Sequence, residues 1–235
     1  MKRIICLLTA LFLFLCGCTP SNSTFKTDED GNLISAEGVV YSHLANEGIL
    51  YYFGELESVG HVRGEVKVSQ HLDAMFQTGI FAIKGDANRD VLIRRRPNSE
   101  WCSIYRKASL PALDYSVDNC VRLEFVIGIG DVENDAVHTS CGEGMTIPSE
   151  IAAFLSEVQS QKSPKEAGLY DLVRKPDGQL ENCYVCGVIY GFLAEEPNVA
   201  IRMTVTSYND LAYSVSIEGK DYVLSDSWLQ MLKSK

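Results

Sequence analysis

The residues with the most chemical potential lie in one polar stretch, two cysteine turns and one basic run. Asp131, Glu133, Asp135, His138 and Glu143 crowd a segment that follows a strongly apolar run. Carboxylates and an imidazole on a loop beyond a buried strand can bind a metal or relay protons. A solvated acidic loop has the same composition. Asp131, Glu133, Asp135 and His138 therefore stand as candidate ligand or acid–base residues, with no catalytic role assigned. His138-Thr-Ser-Cys141-Gly142 and Cys183-Tyr-Val-Cys186-Gly187 each hold two soft ligands separated by two residues and followed by glycine. Two such turns can enclose tetrahedral zinc through His138, Cys141, Cys183 and Cys186. A histidine in place of a cysteine and the long gap between the turns weigh against that site. Cys183 and Cys186 also have the spacing of a thiol–disulfide redox pair. Such pairs sit at a helix N-terminus, whereas Val188 to Leu193 reads as strand. On a straight strand Cys183 and Cys186 point to opposite faces. Arg94-Arg95-Arg96 can grip a carboxylate, phosphate or acidic polymer, or can guard an edge strand against pairing.

No Gly-x-Ser-x-Gly elbow, phosphate-binding glycine loop or His-Glu-x-x-His helix occurs in the chain. No motif calls for a cofactor. His138 and Cys141 lack an identified third group and make no catalytic pair by themselves.

The N-terminus carries the sharpest signal. Met1-Lys2-Arg3 is a short positive head, and Ile4 to Leu15 is apolar except for Thr9. That run has the length of a signal-peptide core and is short for a permanent span. Leu15-Cys16-Gly17-Cys18 closes it and resembles the lipobox of bacterial lipoproteins. The resemblance implies cleavage between Gly17 and Cys18 and attachment of diacylglyceryl to the Cys18 thiol. Acyl chains contribute about 0.8 kcal/mol per buried CH₂, so several chains anchor a protein stably. Thr19, rather than Asp, follows the acceptor. By the same resemblance the chain goes to the outer membrane of a double-membraned cell, or to the outward face of the plasma membrane of a single-membraned one.

These features divide the chain into a signal peptide (1–17), a lipidated tether (18–36), a strand-rich unit (37–146) and a helix followed by hairpins (147–235), in the same domain or a second lobe. The whole chain has a formal net charge of −10, and loss of Lys2 and Arg3 makes the remainder more acidic. Nucleic acid, which demands a basic footprint, is excluded as a partner. The expected partners are the bilayer through Cys18 and an envelope protein or small ligand for the body. The main functional expectation is a lipid-anchored extracytoplasmic binding or envelope-associated protein. The alternative is a lipid-anchored hydrolase or metal-dependent enzyme using Asp131 to Glu143. Removing Cys6, Cys16 and Cys18 from the eight cysteines leaves Cys102, Cys120, Cys141, Cys183 and Cys186. An oxidising envelope then predicts two disulfides and one thiol, with Cys102 and Cys120 a candidate pair around Pro111.

The supporting elements read as α+β, mostly antiparallel, with one long helix and a short terminal one. Val39–His43 and Ile49–Phe53 look like a hairpin. Val62 to Val68 alternates as a half-buried strand, and Leu72, Met75 and Phe76 share the apolar side of a short helix. Gly79–Ile83 and Val91–Ile93 flank the turn 85–90, and Trp101–Arg106 is a further strand. Val121–Ile129, the most apolar strand, is expected at the sheet centre. Pro148 opens a helix in which Ile151, Phe154, Leu155 and Val158 fall on one face. Asp28, Asp30 and Gly31 partly match a calcium loop, but Lys26 occupies the first ligand position, so the stretch reads as a turn.

Overall fold

The computed structural model describes residues 23–44, 50–62, 78–95, 102–127 and 144–233. The fold is α+β, as the sequence predicts. Seven strands close a small barrel: β1 (Ser23–Thr27), β2 (Leu33–Ile34), β3 (Val40–His43), β5 (Leu56–Val62), β6 (Gly79–Ile83), β7 (Val91–Arg95) and β8 (Cys102–Lys107), in the order β1-β2-β3-β8-β7-β6-β5. Closure comes from β1, which pairs in parallel with β5 (Ser23↔Gly60). The other described strand pairs are antiparallel. Alternation along each strand divides the side chains. Phe25, Leu33, Tyr41, Ile80, Ala82, Leu92 and Tyr105 fill the barrel interior.

The outward side chains of β6 to β8 meet an open sheet made of β9 (Arg122–Ile127), β10 (Cys183–Phe192), β11 (Val199–Tyr208), β12 (Ala212–Ile217) and β13 (Lys220–Val223), ordered β13-β12-β11-β10-β9. β4 (Leu50–Tyr52) joins this sheet beside the start of β11. The shared core contains Ile83, Val91, Ile93 and Ile104 from the barrel and Leu123, Ile189, Ile201, Met203 and Val205 from the sheet. β7 is thus buried on both sides, which is why its Val91-Leu92-Ile93 run shows no polar alternation.

Helix α1 (Pro148–Gln159) covers the same core with Ile151, Phe154, Leu155 and Val158. Pro148 sits in its first turn, where a missing N–H costs little. Helix α2 (Asp226–Lys233) adds Trp228, whose ring meets Phe154 edge-on at 4.8 Å between centroids.

Several expectations change. The expected tether is folded from Ser23 onward, because Phe25 and Leu33 are barrel-core residues within otherwise polar sequence. β3 and β4 are not a hairpin: β3 pairs with β2 and β8, and β4 pairs with β11. β9 ends the strand order rather than lying at its centre, with a single bridge from Leu123 to Met145 beyond it. A boundary at residue 146 would separate β9 from β10, which share a sheet and a core. Asp171–Arg174, which reads in the sequence as a strand before the turn at Lys175 to Gly178, instead overlaps a 3-10 turn at Leu169–Leu172, with an isolated bridge from Arg174 to Leu180. The turn at Asp28 stands as read: its carboxylate accepts from the backbone N–H groups of Asp30 and Asn32 and from the Asn32 side chain. The expected helix at Leu72, Met75 and Phe76 lies outside the described residues.

Candidate functional site

The barrel and sheet are hydrogen-bonded where one end of the barrel meets the β10–β11 turn, and a polar cleft of about 480 Å³ opens there. Asp86 and Asp90 come from the β6–β7 turn, Arg106 from β8, and Glu195 and Glu196 from the turn after β10. The β6–β7 turn is fixed by Asp86, whose carboxylate accepts from the N–H groups of Asp90 and Val91. Asp90 in turn accepts from Lys107 Nζ at 2.9 Å. At the floor of the cleft, Arg106 Nε donates to Glu196 Oε2 at 3.4 Å, with the two side chains only 11% and 13% exposed. A second guanidinium nitrogen of Arg106 donates to the Pro111 carbonyl.

Burial dominates the Glu196 carboxyl and raises its pKa, against the opposing effect of Arg106. The Tyr115 phenol feels both of these charges and is pushed up to about 12, chiefly by burial. Its hydroxyl is buried without a hydrogen-bond partner. Carboxylates outnumber cations along the cleft, and no Ser, Thr, Cys or His lines it. The arrangement therefore offers hydrogen bonds and negative charge to a small polar ligand, with one titratable carboxyl held in place by an arginine.

A second cleft of about 640 Å³ runs between α1 and residues 118–120. Its one thiol, Cys120, is pushed up to about 12 by burial and so makes a poor nucleophile.

The disulfide expectation is overturned. Cys102, Cys120, Cys183 and Cys186 are all thiols, with no sulfur pair at or near bonding distance. Each has its own packing role. Cys120 and Cys186 are buried in the main core, and the Cys186 thiol donates to the Val205 carbonyl at 3.6 Å. Cys183 packs instead with Leu169, Val173 and Tyr208. The structure thus brings Cys183 and Cys186 into different apolar clusters rather than to one point. Among the described residues no group of three metal-ligating side chains converges.

Of the basic run, Arg94 and Arg95 extend β7, and Arg95 donates to the Tyr52 hydroxyl at 3.1 Å, which ties the barrel to β4. Cys18, Arg96, Asp131, Glu133, Asp135, His138 and Cys141 lie outside the described residues. The pair that sequence reasoning missed is Arg106 and Glu196. They are 90 positions apart, and nothing local marks either one. No family model, curated protein or solved structure matches the chain.

Proposed function

We propose that the chain is a lipid-anchored extracytoplasmic binding protein, held to the bilayer through Cys18, and that its barrel–sheet cleft receives a small polar ligand bearing hydrogen-bond donors. The observation that carries the anchored reading is the run Leu15-Cys16-Gly17-Cys18 closing the 12-residue stretch Ile4 to Leu15, which is apolar except for Thr9. The cleft supports the binding half: an arginine and a glutamate, both largely buried, sit at the floor of a concavity with an excess of carboxylates.

Cell fractionation of the wild-type chain and the Cys18→Ser variant tests the anchor. The wild type sediments with membranes and resists extraction by salt and carbonate, while Cys18→Ser does not reach a lipid-modified form and loses this resistance. Equal membrane retention of both chains would refute the anchor.

A further inference from the structure

If Cys18 is the lipid attachment point, as proposed above, the end of the barrel at which β1 begins is held close to the membrane. Five peptide links separate Cys18 from Ser23. At about 3.6 Å each they reach no more than about 18 Å. Ser23 is already part of the barrel through its pairing with Gly60. The register Lys26↔Ile34 and Ile34↔Val40 brings Ser23 level with the 35–39 turn. That turn belongs to a continuous rim at one end of the barrel. Ala108 N–H donates to Val40, Lys107 N–H to Asp90, and Lys84 N–H to Glu55. The pairings Tyr41↔Lys107, Val91↔Arg106 and Ala82↔Leu92 place the 35–39 turn and the 84–90 turn at the same barrel end. The cleft containing Arg106 and Glu196 opens on this rim.

The opposite end of the molecule is far away. β11 starts at Val199, next to the cleft, and runs ten residues to Tyr208. That is about 30 Å of extended chain, which separates the turn at Asn209 to Leu211 from the cleft-side start of β11.

We infer that the barrel rim formed by the 35–39 and 84–90 turns, together with the mouth of the cleft, is the surface that faces the lipid bilayer, and that the end at Leu211 points away. Electrostatics do not supply this attachment. Of the rim cations, Lys84 is matched by Glu55 at 2.6 Å and Lys107 by Asp90 at 2.9 Å, and the exposed Arg89 lies where its charge lowers the pKa of Glu37. They leave no basic footprint for anionic headgroups. Covalent length alone sets the orientation, and the ligand of the cleft is met at the membrane surface.

Energy transfer to labelled lipid tests this. The full chain, processed and lipidated by its host membrane, is placed in phosphatidylethanolamine–phosphatidylglycerol vesicles containing an acceptor-labelled phosphatidylethanolamine. A fluorescent amino acid replaces Ala87 or Leu211, both exposed. Transfer from position 87 is several-fold greater than from position 211 and is insensitive to salt. Inserting a long Gly/Ser spacer between Pro20 and Ser21 collapses the difference. Equal transfer from the two positions, or a larger value from 211, would overturn the orientation. Cys18→Ser separates the two levels. Lost vesicle binding with equal transfer in the lipidated chain refutes the orientation alone. Retained binding by Cys18→Ser refutes the anchor, and the orientation with it.

Discussion

Gly191 lies in β10, flanked by Leu123 of β9 and Ile201 of β11. A Cβ added there would stand 2.5 Å from Cys120 Sγ and 3.3 Å from Leu123 Cδ2. Neither neighbour moves easily, because Leu123 is fully buried and Cys120 is only 7% exposed. The sulfur must shift by roughly 1 Å or the strands must part, and overpacking of this kind costs about 1–3 kcal/mol. Removing a glycine from the unfolded ensemble returns about 0.4–1 kcal/mol. Gly191→Ala therefore destabilises the chain by about 1–2 kcal/mol net. Cys120→Ala also destabilises, by loss of buried packing. In the double variant the new methyl occupies space vacated by sulfur, so the two changes are not additive, with a coupling of about 1 kcal/mol or more. Urea unfolding of the Cys18→Ser chain beginning at residue 18, carrying each variant and the pair, measures the cycle. Additive values would refute the placement of Cys120 as a core thiol pressed against β10.

Three other outcomes follow from the same contacts. Phe154→Ala removes a fully buried ring that meets Phe125 and Trp228; it costs about 3–5 kcal/mol in a urea titration. Alkylation in denaturant without reductant labels Cys102, Cys120, Cys183 and Cys186, while in the native state the buried Cys120 and Cys186 stay unlabelled at mildly alkaline pH; a band shift that needs reductant would contradict the thiol assignment. Glu196 has a raised pKa in the folded state, so the neutral carboxyl is the form that folding favours. Its contribution to stability is present below the ordinary carboxylate pKa of 4.5 and is lost as pH rises through the raised value. Glu196→Gln removes this slope, which a comparison of unfolding midpoints across that window detects; identical pH profiles for both chains would refute the buried position of Glu196.

Much of the local structure was legible because it rests on short-range pattern. The α1 stripe of Ile151, Phe154, Leu155 and Val158 is a helix-period signal, and all four residues are buried. The β6–β7 hairpin follows from two apolar runs around Asp86 to Asp90. What was illegible is pairing across distance. β1 joins β5 through a parallel contact that leaves no turn signature, and Phe25 and Leu33 were too sparse to reveal a strand pair in polar sequence. β4 finds its partner in β11, about 150 positions later. Gly48–Phe53 and Gly187–Phe192 share an aromatic strand pattern in the sequence, and in the structure Phe53 meets Tyr190 at 4.8 Å and Phe192 at 4.9 Å. The candidate site was hidden for the same reason. Arg106 reads as one more charge on a strand, and Glu196 as one acid in an acidic turn, until the barrel packs against the sheet.

The central claim is that Cys18 anchors a body whose barrel begins five residues later. Mass spectrometry of the N-terminal proteolytic fragment, taken from membranes of cells expressing the wild-type chain, tests it most directly. The account predicts a fragment that starts at Cys18 and carries diacylglyceryl on its sulfur. A fragment that retains residues 1–17, or one that begins elsewhere with an unmodified terminus, would contradict it.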